Sequence, residues 1–247
     1  MRPPFVVAES DVEGVRADGD TVLVKTTWDR SSGSGVLEQR VLGFAPGSSL
    51  QRRDDVRDEI LYVVSGTATL RLDGSEHELA AGTAAYVRAG ETWGVENPGP
   101  EELRVVSVSV PAQRSHAGER RVTVRFEDQP ELRADAKRSF RYLVNQEAGC
   151  RDATQFVGLV QPYRAPDHAH SYDELGYIVE GRGFAHIEGE SFPLGPGSTF
   201  HLPPEQVHCI ENVGPGVMRI LGVFHPSGDP ASRTYDEAAL TAEGGSR

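Results

Sequence analysis

The 247-residue sequence predicts an all-β protein made of two tandem copies of one β-domain, and three observations predict it. Short segments rich in Val, Leu, Ile, Phe and Tyr recur roughly every 8 to 12 residues between turn formers, the pattern of a sandwich or barrel. Gly and Pro are abundant, at 27 and 16 residues, and no long stretch carries a helical period. The sequence also repeats: a shift of 115 residues superimposes its turn residues without a gap across about 68 positions.

In the first copy, Glu59 to Val64, Thr67 to Leu72 and Leu103 to Val110 read as strands, punctuated by Asp73-Gly74 and Pro98-Gly99. In the second, Gln155 to Val160, Glu174 to Val179 and Met218 to Phe224 do the same, punctuated by Glu188-Gly189 and Pro215-Gly216. The shift lays Gly43 on Gly158, Glu59 on Glu174, Tyr62 on Tyr177, Gly82 on Gly197, Asn97 on Asn212 and Pro111 on Pro226. A polar stretch from Gln113 to Arg138 separates the copies and holds one further strand at Arg121 to Phe126. Residues 1–112 are therefore expected to form the first domain, 113–137 a linker, 138–230 the second domain and 231–247 a tail. A short helix is expected near Ser232 to Leu240, and the last ten or so residues should fray.

Charge narrows the partners. The chain carries 25 Lys+Arg against 37 Asp+Glu, a net charge of −12, which repels nucleic acid and anionic membranes. No run approaches the ~18 apolar residues of a spanning helix. The stretch from Met1 to Glu9 lacks the apolar core of a secretion signal. A soluble, cytoplasmic protein with a small-molecule substrate is the expectation. Cys150 and Cys209 are too few for a disulfide framework or a thiolate zinc site.

The two copies differ where chemistry is expected. In the second, His168 and His170 stand at i and i+2, which on a strand point to one face. Glu174 follows four residues after His170, and His208 comes 34 residues later, beyond the turns at Gly197 and Pro203-Pro204. Three imidazoles and a carboxylate from neighbouring strands can converge on one divalent metal: iron, manganese, nickel, copper, cobalt or zinc. Fe(II) and Mn(II) are taken as the first choices. The shift puts Arg53, Asp55, Glu59 and Trp93 at the corresponding positions of the first copy. Arginine and tryptophan do not replace imidazole, so that copy should be metal-free.

These residues resemble the two motifs of the cupin superfamily, and the chain resembles a bicupin. The first motif, G-x5-H-x-H-x3-E-x6-G, is matched by His168, His170, Glu174 and Gly181, with Pro162 in place of the leading glycine. The second, G-x5-P-x-G-x2-H-x3-N, is matched by Gly197, Pro203, His208 and Asn212, with Glu205 in place of a glycine. The first copy keeps Gly47, Glu59, Gly66, Gly82, Gly90 and Asn97 and loses every histidine. The resemblance spans about residues 35 to 226. It implies a double-stranded β-helix, or jelly roll, per copy, with a 3-His-1-Glu centre in the second alone. The barrels should pack side by side, in a monomer or homodimer.

Neighbouring residues carry weaker expectations. Trp93 should fill the vacated cavity of the first barrel, and Glu59 should pair with Arg53. Phe156, Tyr163, Phe200 and His225 are candidates for the substrate pocket; His225 enters because it continues the alternation of Val106 and Val108. His186 and His201 are candidates for supporting the ligands. Cys209 should pack outside the pocket, and His77 and His116 should be solvated.

No nucleotide cofactor is expected, because Gly181-Arg182-Gly183 fits a hairpin and lacks a strand-to-helix context. A metal held by four protein donors keeps two octahedral positions for a chelating substrate or for a substrate beside dioxygen. The resemblance therefore implies a metal-dependent enzyme on a small oxygen-rich molecule, with a dioxygenase first. A lyase, isomerase or cyclase on the same metal stands beside it, and a non-catalytic small-molecule binder is the alternative class. Glu174 is the ligand able to detach and act as a general base, as in some dioxygenases the chain resembles.

Overall fold

The computed structural model describes residues 5–32, 35–112 and 119–232. Every regular element longer than three residues is a strand, and the strands form four antiparallel sheets, two per barrel. The first barrel joins a six-stranded sheet, centred on Arg57–Ser65 and Leu103–Pro111, to a five-stranded one carrying Thr92–Asn97 and Thr67–Leu72. The second joins a seven-stranded sheet, centred on Asp173–Glu180 and Met218–His225, to a four-stranded one carrying His208–Asn212 and Gly183–Ile187.

The large sheets of the two barrels pack against each other, which explains why their strands read as nearly unbroken apolar runs rather than as alternation. In Arg57–Ser65, Ile60 and Tyr62 enter the cluster between the barrels while Leu61 and Val63 enter the first barrel's own core. The second barrel repeats the device: Leu175, Tyr177, Leu221 and Val223 face the partner barrel, and Ile178 and Ile220 face inward. Glu174 shares the inward parity of Ile178, which carries a carboxylate into a barrel interior.

The expected domain boundaries need adjustment. Val6–Ala8 pairs with Ser198–Phe200, so a strand from the expected first domain closes the second barrel's sheet. Glu9 then ties both barrels, accepting from Arg104 at 2.6 Å and from the Tyr177 hydroxyl at 3.1 Å. The expected linker is structural too: Thr123–Arg125 joins the first barrel's sheet, at the strand foreseen there, and Leu132–Arg133 joins the second's. Trp28, fully buried, donates from Nε1 to Thr199 Oγ1 at 3.0 Å across the barrels. The helix expected near Ser232 to Leu240 lies outside the described residues, Ser232 excepted, and so does His116.

The repeat also slips. Glu59 and Glu174 occupy one position, since Glu59 pairs with Ser109 and Glu174 with Phe224, 115 residues apart in both cases. Upstream the offset is 116: Leu42 faces Val105 and Gly158 faces Ile220. Arg52 faces Trp93 as His168 faces His208. The loop before Glu59 is one residue longer than the loop before Glu174, so Arg52 rather than Arg53 is the counterpart of His168.

Candidate metal centre

The centre forms where the two sheets of the second barrel meet. His168 and His208 sit opposite each other in an isolated bridge with reciprocal backbone hydrogen bonds of 2.9 Å, not in the regular strand expected for His168 and His170. Glu174 is carried by Asp173–Glu180 and His208 opens His208–Asn212. One ring nitrogen from each of His168, His170 and His208 lies within 4.8 Å of the others, and all three residues are buried. Glu174 Oε2 is 3.8 Å from His170 Nε2.

Backbone carbonyls set the tautomers. His168 Nδ1 is 2.9 Å from the Pro166 carbonyl, His170 Nδ1 3.0 Å from that of Ser232, and His208 Nδ1 2.9 Å from that of Gln206. A carbonyl only accepts, so each Nδ1 carries its proton and each Nε2 keeps a lone pair, the arrangement a metal-binding imidazole requires. Burial keeps His168 and His208 neutral. It pushes His168 down to about 2, with neighbouring His208 adding to the shift, and His208 down to about 4. Burial pushes Glu174 up to about 8, and its Oε2 has no hydrogen-bond partner. A buried carboxylate oxygen without a donor, beside three aligned lone pairs, fits a divalent cation.

The first barrel supplies the comparison. Glu59, at the position of Glu174, accepts from Ser107 Oγ at 2.5 Å and from Trp93 Nε1 at 3.0 Å. Gly222 and His208 replace those two donors in the second barrel. Trp93 is buried in the first barrel's core as expected, with the Arg52 guanidinium 5.6 Å from its ring. The expected Glu59–Arg53 pair does not form: Arg53 is half-exposed and pairs with Asp55. The longer loop gives Arg52 the inward place that the uniform shift assigns to Arg53.

A cavity of about 80 Å³ opens beside His168, His170, Glu174 and His208. Of the expected pocket residues, Phe156 and Phe200 line it, and Phe224 joins them. Glycines make room for two of these rings. A Cβ on Gly176 would stand 2.0 Å from Phe200, and one on Gly222 would stand 2.4 Å from Phe156. Tyr163 and His225 are placed outside the lining. The Tyr163 hydroxyl reaches Asp135 at 3.2 Å. His225 does continue the alternation of Val106 and Val108, but that face is the one between barrels, where its Nδ1 meets the Asp152 carbonyl at 2.9 Å. His201 likewise bonds Asp173 at 2.6 Å beside Trp28, and His186 bonds Ser191 and Glu211 at 2.8 Å on the outer face. Cys209 is buried outside the cavity, with Arg164 Nε at 3.3 Å from its sulfur.

The cavity also holds a residue the sequence reading passed over. Arg138 lines it and donates from Nε to Asp135 Oδ2 at 2.8 Å, while its buried Nη2 has no partner. The signal appears only in the strand register: Arg138 faces Val160 as Val22 faces Phe44, so arginine stands where the first barrel has a core valine.

A family model for the cupin domain matches residues 40–109 and 158–224, more than half of the chain. The chain belongs to the cupin family. A curated relative of this cupin, an uncharacterized protein (MJ1618) of Methanocaldococcus jannaschii, is 38% identical over 60 residues, 24% of this chain and 48% of that protein. The match thus spans about half the length of that relative. Among solved structures, the Escherichia coli protein Ylba superimposes with a TM-score of 0.77 at 12% identity, covering 91% of this chain and 92% of Ylba. A tryptophan-to-tyrosine variant of the Bacillus subtilis oxalate decarboxylase gives 0.76 at 12% identity, covering 98% of this chain and 84% of the enzyme. At such identities the likeness is one of fold: two tandem jelly-roll barrels. Among the described residues, no helix is long and apolar enough to cross a membrane.

Proposed function

We propose that the second barrel is the active site of a metal-dependent enzyme acting on a small oxygen-rich organic molecule, with dioxygenation as its reaction. One contrast carries the reading: Glu59 is closed off by Ser107 and Trp93, whereas the equivalent Glu174 stands beside three imidazoles with an oxygen unpartnered. His168, His170, Glu174 and His208 would hold the ion. Bound there, it would supply Lewis acidity toward a chelating oxygen and, as Fe(II) or Mn(II), an electron for dioxygen.

The chain's own residues do the rest. Three carbonyls fix the imidazoles in one tautomer. Phe156, Phe200 and Phe224 give the cavity an apolar wall. Glu174, the carboxyl among the donors, holds or takes a proton at Oε2. The last of these favours a second reading, a non-oxidative lyase, isomerase or cyclase, because a buried carboxyl with an unpartnered oxygen is placed to take a proton from a carbon next to a carbonyl. The net charge of −12 supports a small-molecule substrate over nucleic acid or an anionic membrane as partner.

Oxygen uptake by iron- or manganese-loaded protein, screened against compact diketones, hydroxy acids and catechols, tests the proposal. Uptake in step with substrate loss, abolished in Glu174→Gln, is the expected result. Metal-dependent turnover without oxygen uptake would replace the dioxygenase by the second reading, and ligand binding without turnover would leave a binding protein.

A further inference from the structure

The unpartnered guanidinium nitrogen in the cavity is the feature the metal reading leaves unused. A buried N–H donor of a charged group without an acceptor is costly, and a native fold that keeps one calls for a partner that completes it. Arg138 is no accidental intruder from the surface. Its Nε is fixed by Asp135, and Asp135 is itself held by the backbone N–H groups of Lys137 and Arg138, both at 2.8 Å. The Tyr163 hydroxyl, 3.2 Å from Asp135 Oδ2, adds a further hold from the facing sheet. Asp135 therefore stays ionised, at about 2, through those hydrogen bonds and the charge of Arg138, which outweigh its burial. One edge of the guanidinium is anchored, and Nη2 is left for something else.

Resting on the metal-centre reading above, we propose that Arg138 anchors the carboxylate of the substrate, which is a small 2-oxy carboxylate. One carboxylate oxygen accepts from Nη2, and the 2-oxygen is left for the metal. The charge balance supports an anion. A divalent ion beside one carboxylate, Glu174, leaves a surplus of positive charge even before Arg138 is added. Phe140 and Ile220 on the walls suit a short apolar tail and exclude a second charged group. Tyr163, placed outside the cavity, becomes a positioning residue acting through Asp135.

Calorimetric titration of the cobalt-loaded and metal-free protein with lactate and with lactamide tests this. Lactamide keeps the shape and the hydroxyl and lacks the charge. Wild type should bind lactate at least tenfold more tightly than lactamide. Arg138→Met, which restores an apolar residue where the first barrel has Val22, should lose that preference while taking up cobalt like wild type. Tyr163→Phe should weaken lactate by a smaller factor and leave lactamide unchanged. Equal affinity of wild type for the two ligands overturns the proposal without recourse to any variant, as does lactate binding that survives Arg138→Met or is absent altogether. Cobalt uptake, read by absorbance, reports separately on the metal centre, so a failure of that reading is not confused with a failure of the anchor.

Discussion

Glu174 Oε2 stands 3.8 Å from His170 Nε2, too far for a hydrogen bond and close enough for both atoms to bind one ion. In the metal-free protein that geometry has a cost. Burial lifts the carboxyl from its ordinary value to about 8, so the folded state holds a proton that the unfolded chain releases near 4.5. Stability is unaffected by this group below about pH 4.5 and is lost as pH rises toward 8. Metal-free Glu174→Gln should therefore be more stable than wild type, by an increment that grows between pH 5 and 8 to a few kcal/mol. A divalent ion should reverse the order. Thermal melts at several pH values, with and without metal, check this; a pH-independent difference would contradict it.

The imidazoles act in the opposite direction. His168 and His208 are depressed by burial to about 2 and about 4, so the unfolded chain takes up protons below about pH 6.5 that the fold refuses. Stability present above pH 6.5 should fall as the pH drops, by up to about 2.7 kcal/mol per pH unit for the two groups together. Urea unfolding of metal-free protein between pH 6.5 and 4.5 should show a steeper slope for wild type than for a His168→Phe/His208→Phe variant. Parallel slopes would mean that the rings charge freely.

Gly176 gives Phe200 its place. Alanine there would set a Cβ 2.0 Å from a ring that is almost fully buried, and the strain should cost about 1–3 kcal/mol. Adding Phe200→Leu to Gly176→Ala should recover most of that loss. Denaturant midpoints of the single and double variants decide it, and additive losses would show that the ring and the glycine are not coupled.

In the first barrel, Trp93→Phe removes the indole donor from the buried Glu59. The loss should be about 1–3 kcal/mol of stability, with metal content unchanged. A drop in metal content would place an ion in the wrong barrel.

These residues also show how far the sequence could be read. The strands and the two barrels were legible because glycines and turn residues repeat in register, and the four donors were legible because they follow two spaced motifs. Face assignment was not, since both faces of the central strands are buried and an apolar run does not say which face looks inward. His225 was misplaced for that reason. A single inserted residue before Glu59 shifted the pairing and sent the arginine assignment to Arg53 instead of Arg52. The strand Val6–Ala8 pairs with residues some 190 positions away, and no local pattern announces such a partner. Arg138 ends the polar stretch between the copies, and its equivalence with the core residue Val22 follows only from the strand register, one residue off the uniform shift.

Metal content of anaerobically purified protein is the most direct test of the central claim. The account predicts about one divalent ion per chain, lost in His208→Ala and in His168→Ala, weakened in Glu174→Gln and unchanged in Trp93→Phe. A wild-type protein that takes up no iron, manganese, nickel, copper, cobalt or zinc, or an ion that survives loss of both histidines, would contradict it.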